Sequence, residues 1–218
     1  MKQYYLKGLI VFCILACLIS FPYTKASLPL VGKIIVLDAG HGGKDPGTMY
    51  KNVLEKDINL KIVLALENEL QKKGATVILT RDKDYDLSSP KATRRKKSDF
   101  DNRIKIINSS GANMYLSIHL NYLIQEEYYG PQVFYNDKST ENKKIANLLQ
   151  NALNKKLGSK REVKKIPSTT YMYSKLNVPG VLIECGFLSN AKERRLLQDS
   201  KYQKKLARYI ANAVVKAF

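Results

Sequence analysis

The chain has only two histidines, and both follow or end apolar runs where a functional loop is expected. His41 lies in the glycine-rich segment that follows residues 33–38 (KIIVLD), and His119 ends the run 114–119 (MYLSIH). Imidazole is a common metal ligand and exchanges protons near neutral pH. Because both histidines fall at such places, the pair favours metal ligation. Taken singly, His41 would also fit a turn or an anion-binding loop, and His119 a buried histidine bonded to a backbone carbonyl.

Two carboxylates, Glu55 and Glu184, complete the candidate site. Glu55 opens a predicted helix, where an acidic residue also interacts favourably with the helix dipole. Glu184 ends a short apolar run, and a carboxylate there needs a cation, several donors or exposure into a cleft. A catalytic base satisfies this requirement, and an ion pair with Arg194 or Arg195 is the alternative.

The segments between these residues alternate between strand-like apolar runs and amphipathic helices. Helices are predicted over 55–73, 98–111, 140–157 and 190–218, the last interrupted near Asp199, and strands over 33–38, 75–80, 114–119, 132–135 and 181–184. This order predicts an α/β fold: one domain with a mostly parallel, twisted sheet and helices on both faces. Ligands in such folds bind beyond the carboxyl ends of the strands, where the four residues would meet.

A polar segment over 85–97 carries the basic run 94–97 (RRKK). It predicts an exposed loop whose charges are solvated. Ser98 and Asp101 resemble a capping pair, so the following helix is expected to begin at Ser98.

The first 26 residues have the pattern of a secretory signal. Lys2 and Lys7 precede an apolar run over 8–21, which small residues around Lys25 follow. We predict cleavage after Ala26, with an uncleaved membrane anchor as the alternative. The predicted organisation is a signal peptide or N-terminal membrane anchor over 1–26, a linker over 27–32 and a catalytic domain over 33–218.

The chain is strongly basic, with 37 Lys and Arg against 19 Asp and Glu and a net charge of +18. This charge favours a polyanionic partner: nucleic acid, anionic lipid or an acidic wall polymer. Predicted export argues against nucleic acid, as do the absence of tryptophan and of an aromatic-basic platform. Cys13 and Cys17 lie in the predicted leader, so Cys185 is left without a partner for an internal disulfide.

Five separated motifs carry a family resemblance. They are LDAGHGGKDPG (37–47), Glu55-Lys56, LTRD (79–82), SIHLN (117–121) and IECGFLSN (183–190). Together they resemble the zinc-dependent N-acetylmuramoyl-L-alanine amidase family. The short chain and the segment 128–135 (YYGPQVFY) are most similar to its germination-specific, CwlD-type branch.

The resemblance implies that His41, Glu55 and His119 hold Zn²⁺ and that Glu184 is the catalytic carboxylate. It implies hydrolysis of the amide between N-acetylmuramic acid and L-alanine in peptidoglycan, in the spore cortex, for muramic δ-lactam formation and germination. The enzyme would act outside the cytoplasm, in the wall or cortex space, with membrane contact only through an uncleaved leader. The apolar residues in 120–123 (LNYL) predict a groove for a protein activator or a restricted substrate.

Two other functions remain open. A zinc peptidase or deacetylase acting on the wall would use the same metal chemistry, because that chemistry cleaves many amides. A non-catalytic basic wall-binding protein would account for the charge alone.

Overall fold

The computed structural model describes residues 28–218. The predicted signal or anchor over 1–26 lies outside these residues. The strands are β1 (Ile34–Ala39), β2 (Met49–Tyr50), β3 (Val53–Leu54), β4 (Thr76–Leu79), β5 (Met114–Asn121), β6 (Gln132–Tyr135), β7 (Lys164–Lys165) and β8 (Gly180–Phe187). The helices are α1 (Glu55–Gln71), α2 (Arg95–Ser109), α3 (Thr140–Leu157), α4 (Ala191–Gln198) and α5 (Ser200–Val215), with a 3-10 turn at Tyr173–Lys175. Within the described range, every helix is too short or too polar to cross a bilayer.

Six strands form the main sheet, in the order β4-β1-β5-β8-β6-β7. The four strands from β4 to β8 are parallel, and β6 joins β8 in the antiparallel direction. The prediction of an α/β fold with a mostly parallel sheet is therefore confirmed. The carboxyl ends of β1, β5 and β8 lie side by side, which places the residues that follow them at one edge of the sheet.

Both faces of the sheet are covered, because alternate residues of each strand point to opposite faces. Ile35 and Leu37 of β1 join the larger core, which includes buried residues of α1, α3 and α5. Val36, between them, joins a smaller core with Ile107 of α2. Burial on both faces explains why these strands read as continuous apolar runs.

Local capping explains two predicted boundaries. The Ser139 hydroxyl accepts a hydrogen bond from Glu141 N at the start of α3, and Gly158 ends that helix at φ 69°. The Asp199 carboxylate accepts from Lys201 N and caps α5 directly after α4 ends. The predicted interruption near Asp199 is thus confirmed.

The predicted start of α2 is wrong. The helix begins at Arg95, so most of the basic run forms its first turn instead of a loop. Ser98 does not cap it, because its hydroxyl accepts a hydrogen bond from Ser89 N. Ion pairs of Arg95 with Asp86 and of Lys97 with Asp101 offset the charge of that turn.

Candidate metal centre and active site

Three of the four candidate residues converge at the carboxyl edge of the sheet. His41 comes from the loop after β1, Glu55 is the first residue of α1, and His119 lies near the end of β5. Glu55 Oε1 lies 3.2 Å from His41 Nε2 and 3.0 Å from His119 Nδ1. The ligand atoms of the three side chains all lie within 4.8 Å of one another. Three ligand atoms at this spacing could hold a metal ion.

The ring of His41 is oriented by a second carboxylate. Its Nδ1 lies 2.9 Å from Asp45 Oδ2, so Nε2 faces Glu55. Burial would lower the pKa of His41, but its hydrogen bonds to Asp45 and Glu55 raise it to about 9. Both carboxylates therefore stabilise positive charge at this imidazole.

Glu55 is buried and ionised. Burial would raise its pKa, but hydrogen bonds from His119 and His41 outweigh burial and hold the pKa well below the usual range. The backbone N–H groups of Thr48 and Leu120 also donate to the carboxylate, at 2.8 and 3.1 Å. These bonds fix both oxygens in place.

A glycine makes the close packing at this site feasible. Gly47 has φ +67°, and a Cβ at this position would lie 2.6 Å from His41 Cδ2 and 2.7 Å from Glu55 Oε2. Any side chain here would displace one of the two candidate ligands.

A buried hydrogen-bond network centred on Asp38 contacts the backbone of His41. The Asp38 carboxylate accepts hydrogen bonds from Arg103 Nη1 at 2.6 Å and from Ser117 Oγ at 2.6 Å. Arg103 also donates to the carbonyl oxygen of His41, at 2.7 Å. Burial would raise the pKa of Asp38, but Arg103 and Ser117 lower it. The network thus ties β1, α2 and β5 to the backbone that carries His41.

Tyr173 connects this network to His119. Its hydroxyl lies 3.1 Å from Ser117 Oγ and 3.5 Å from His119 Nε2. The contact leaves His119 Nδ1 directed at Glu55. Sequence reasoning missed the supporting roles of Tyr173, Arg103 and Asp45; only Asp45 had a local signal, four residues after His41 in the glycine-rich motif.

Glu184 lies next to the three-residue cluster, because it is the register partner of His119 on adjacent parallel strands. Its Oε2 is buried and has no hydrogen-bond partner among residues 28–218. Burial raises the pKa of Glu184 to about 7, with a further increase from Glu55 that His119 opposes. Glu184 forms no ion pair with Arg194, whose guanidinium donates to the carbonyl oxygens of Leu188 and Ser189.

A cleft of about 470 Å³ is lined by all four residues. It is lined by His41, Asp45, Gly47, Thr48, Glu55, Lys96, His119, Leu120, Asn121, Tyr122 and Glu184. The cleft therefore brings the three potential metal ligands and the Glu184 carboxyl group into one space.

Several known proteins are similar to this chain over most of its length. The family model described as N-acetylmuramoyl-L-alanine amidase matches residues 35–216. The germination-specific N-acetylmuramoyl-L-alanine amidase of Bacillus subtilis (strain 168) is 41% identical over 228 residues, covering 100% of this chain and 95% of that protein.

Two solved structures from Clostridioides (Clostridium) difficile are also similar. The CwlD amidase in complex with the GerS lipoprotein has a TM-score of 0.80 and 43% identity, covering 85% of this chain and 98% of that chain. An N-acetylmuramoyl-L-alanine amidase of strain 630 has a TM-score of 0.74 and 31% identity, covering 84% and 95%. On the extent of these matches, the chain belongs to the N-acetylmuramoyl-L-alanine amidase family of enzymes.

Proposed function

We propose that this enzyme is zinc-dependent and hydrolyses the amide between N-acetylmuramic acid and L-alanine in peptidoglycan. The observation that carries the proposal is the convergence of His41, Glu55 and His119 beside Glu184 in one cleft. The family match supports the reaction class.

The donor set fits zinc. Two imidazoles and one carboxylate form a known type of catalytic zinc site, which leaves a coordination position open for water or substrate. A neighbouring group contacts each of the three donors. Asp45 contacts His41, the Thr48 N–H donates to Glu55, and the Tyr173 hydroxyl lies near His119. Such supporting contacts fix the orientation of metal ligands. When bound, zinc would supply a Lewis acid that polarises the amide carbonyl and acidifies water.

Glu184 is the proposed general base and acid. Its carboxyl group lines the cleft, its buried Oε2 has no hydrogen-bond partner among residues 28–218, and a pKa of about 7 suits proton exchange with the attacking water near neutrality. The same carboxyl group then gives this proton to the departing alanine nitrogen. Glu184 thereby returns to its starting state as the C–N bond breaks.

Product analysis tests the reaction. We would incubate the purified protein with sacculi, with and without a chelator, restore zinc, and identify the fragments by mass spectrometry. We expect peptides with an alanine N-terminus, intact glycan strands, and loss of turnover on chelation that zinc reverses. Cleavage within the peptide, release of acetate, or full activity in protein that elemental analysis shows to be zinc-free would refute the proposal.

We further propose that the substrate is spore cortex, where stem removal leads to muramic δ-lactam and supports germination. The support is the 41% identity to a relative named as germination-specific. Turnover of cortex and vegetative sacculi can be compared under the same conditions. Preference for vegetative sacculi would contradict this proposal and leave the amidase reaction untouched.

A location outside the cytoplasm and a protein partner complete the proposal. The leader over 1–26 would direct export, and peptidoglycan amidases act on an extracytoplasmic polymer. The C. difficile CwlD amidase was solved in complex with the GerS lipoprotein. Here Tyr122, at the edge of the cleft, and the adjoining Leu123 and Ile124 have 39%, 38% and 84% of their surface exposed, which suits a partner. Full activity of the enzyme alone on cortex would argue against an activator.

A further inference from the structure

A second cavity, of about 150 Å³, lies beside the metal cleft. It is lined by Lys44, Asp45, Asp86, Arg95, Lys96 and Asp99. Asp45 and Lys96 line the metal cleft as well, so the two spaces share a wall. A group bound in the second cavity would therefore lie close to His41, which contacts Asp45.

The carboxylates that line this cavity form ion pairs within the protein, whereas its lysines form none among the described residues. Each of its carboxylates already has a basic partner within the protein: Asp45 with His41, Asp86 with Arg95, and Asp99 with Arg103. Neither Lys44 nor Lys96 forms an ion pair within residues 28–218, although the charge of Lys96 helps to lower the pKa of Asp45. The cavity is therefore lined by two lysines that have no direct carboxylate partner in the described part of the chain.

The position of Lys96 differs from that of its neighbours on α2. Arg95 and Lys97, on either side, are paired with Asp86 and Asp101. Lys96 lines both cavities instead. Lys44 belongs to the same loop as His41, so both ammonium groups are attached to segments that also build the candidate active site.

We propose that Lys44 and Lys96 form a subsite for a carboxylate of the substrate's peptide stem. This inference rests on the proposed amidase function. The peptide that leaves carries at least its C-terminal carboxylate, and an ammonium group is a compact point charge suited to such a group. The subsite would hold the peptide beside the metal cleft, and it would favour stems with a free acid over amidated stems.

The test compares Lys44→Gln, Lys96→Gln and the double variant on two soluble muramoyl-peptides, one with free carboxylates and one fully amidated. Exposed charge pairs contribute modestly, so each single change should raise KM for the acidic substrate about twofold to fivefold, with kcat nearly unchanged. The KM of the amidated substrate should stay the same in all variants. The acidic-substrate preference of the unsubstituted enzyme should shrink at high salt.

Lys105→Gln is the matched control, because Lys105 is an exposed lysine on the same helix that lines neither cavity. An unchanged KM for the acidic substrate in the double variant would overturn the subsite. Equal losses on both substrates, or equal loss in the control, would also overturn it.

Binding can be measured without turnover. Calorimetry with the Glu184→Gln variant should show weaker binding of the acidic peptide when Lys44 and Lys96 are also replaced. If the unsubstituted enzyme cleaves neither substrate, the amidase proposal fails, whereas cleavage of both with no carboxylate preference rejects only the subsite. Elemental analysis should show equal zinc in all lysine variants; a loss of zinc would mean that the lysines act through the metal centre, which would overturn the subsite.

Discussion

His41 holds a backbone conformation that non-glycine residues rarely adopt, with φ at 61°. Such a conformation costs about 1–2 kcal/mol for a residue with a Cβ. Two backbone hydrogen bonds between Gly42 and Asp45 and the Arg103 contact to the His41 carbonyl oxygen hold the loop in place. The strain is therefore located at a residue whose ring orientation matters for cation binding.

Glu184 is the proposed proton acceptor, so its replacement should reduce turnover. Glu184→Gln keeps the size of the side chain but removes the proton acceptor, so kcat should fall by about a hundredfold or more. Zinc content, measured by elemental analysis, should stay the same, because Glu184 is not one of the three proposed ligands. Glu162→Gln, an exposed change, serves as the control. Near-normal turnover in Glu184→Gln would assign the base to another group.

Gly47 and Gly111 have similar backbone angles but different surroundings. Gly47 has φ +67° and Gly111 φ +65°, but a Cβ meets His41 and Glu55 only at Gly47 and meets nothing within 4 Å at Gly111. Both alanine substitutions should cost about 1 kcal/mol of stability from the backbone. Gly47→Ala alone should also weaken zinc binding, measured by metal titration of the apo protein. Equal zinc affinity in both variants would show that the close packing at Gly47 is not needed.

Part of the candidate site could be predicted from the sequence. His41 and His119 stood out because histidine is rare in this chain and both follow apolar runs, and Glu184 because a carboxylate ended another. The structure brings these three together with Glu55. Arg103 and Tyr173 were not accessible, since their contacts with His41 and His119 span 62 and 54 residues.

Among the helices and strands, those with clear local sequence patterns could be predicted from the sequence. The bounds of α3 follow from its apolar spacing between Ser139 and Gly158. The strands β2, β3 and β7 have two residues each, too few to show a period, and were not predicted. The start of α2 was wrong because Ser98 contacts Ser89 in the preceding loop, which capping patterns do not reveal.

The buried pair between Asp38 of β1 and Arg103 of α2 predicts sensitivity to acid. The pKa of Asp38 is lowered from 3.8 in the folded chain, so the pair stabilises the fold above about pH 4. As the pH falls below that value, the unfolded chain takes up a proton that the folded chain resists, and stability is lost. Urea unfolding between about pH 6 and pH 3 measures this loss.

Asp38→Asn should therefore lower stability at pH 6 and reduce the further loss on acidification. Arg103 keeps Asp99 as a buried partner, so losing the charged hydrogen bond to Asp38 should cost about 1.5–3 kcal/mol at pH 6. Asp57→Asn, which removes an exposed carboxylate, should change the pH dependence far less. An acid-induced loss of the same size in Asp38→Asn and the unsubstituted protein would contradict the assignment.

At the scale of the whole molecule, the dominant property is a net charge of +18. Long-range attraction of this kind raises the local concentration of an anionic polymer and depends on ionic strength. We therefore expect the net positive charge to favour binding to an anionic wall polymer.

Binding to sacculi should therefore weaken as salt rises from about 0.1 M to 1 M, because the screening length falls from about 10 Å to about 3 Å. Sedimentation of the protein with sacculi measures the bound fraction, and an uncharged insoluble polysaccharide is the control matrix. Binding that is independent of salt would mean that specific contacts, and not net charge, retain the protein on the wall.

The pairing of His119 with Glu184 on adjacent strands has a consequence for how this enzyme tolerates sequence change. Side chains alternate between the two faces of a strand, so inserting or deleting one residue of β8 before Glu184 would turn Glu184 toward the side now occupied by Cys185. Point substitutions elsewhere in the strand keep this alternation. Variation in this chain should therefore accumulate as replacements within β5 and β8 and as length changes only in the loops that connect them.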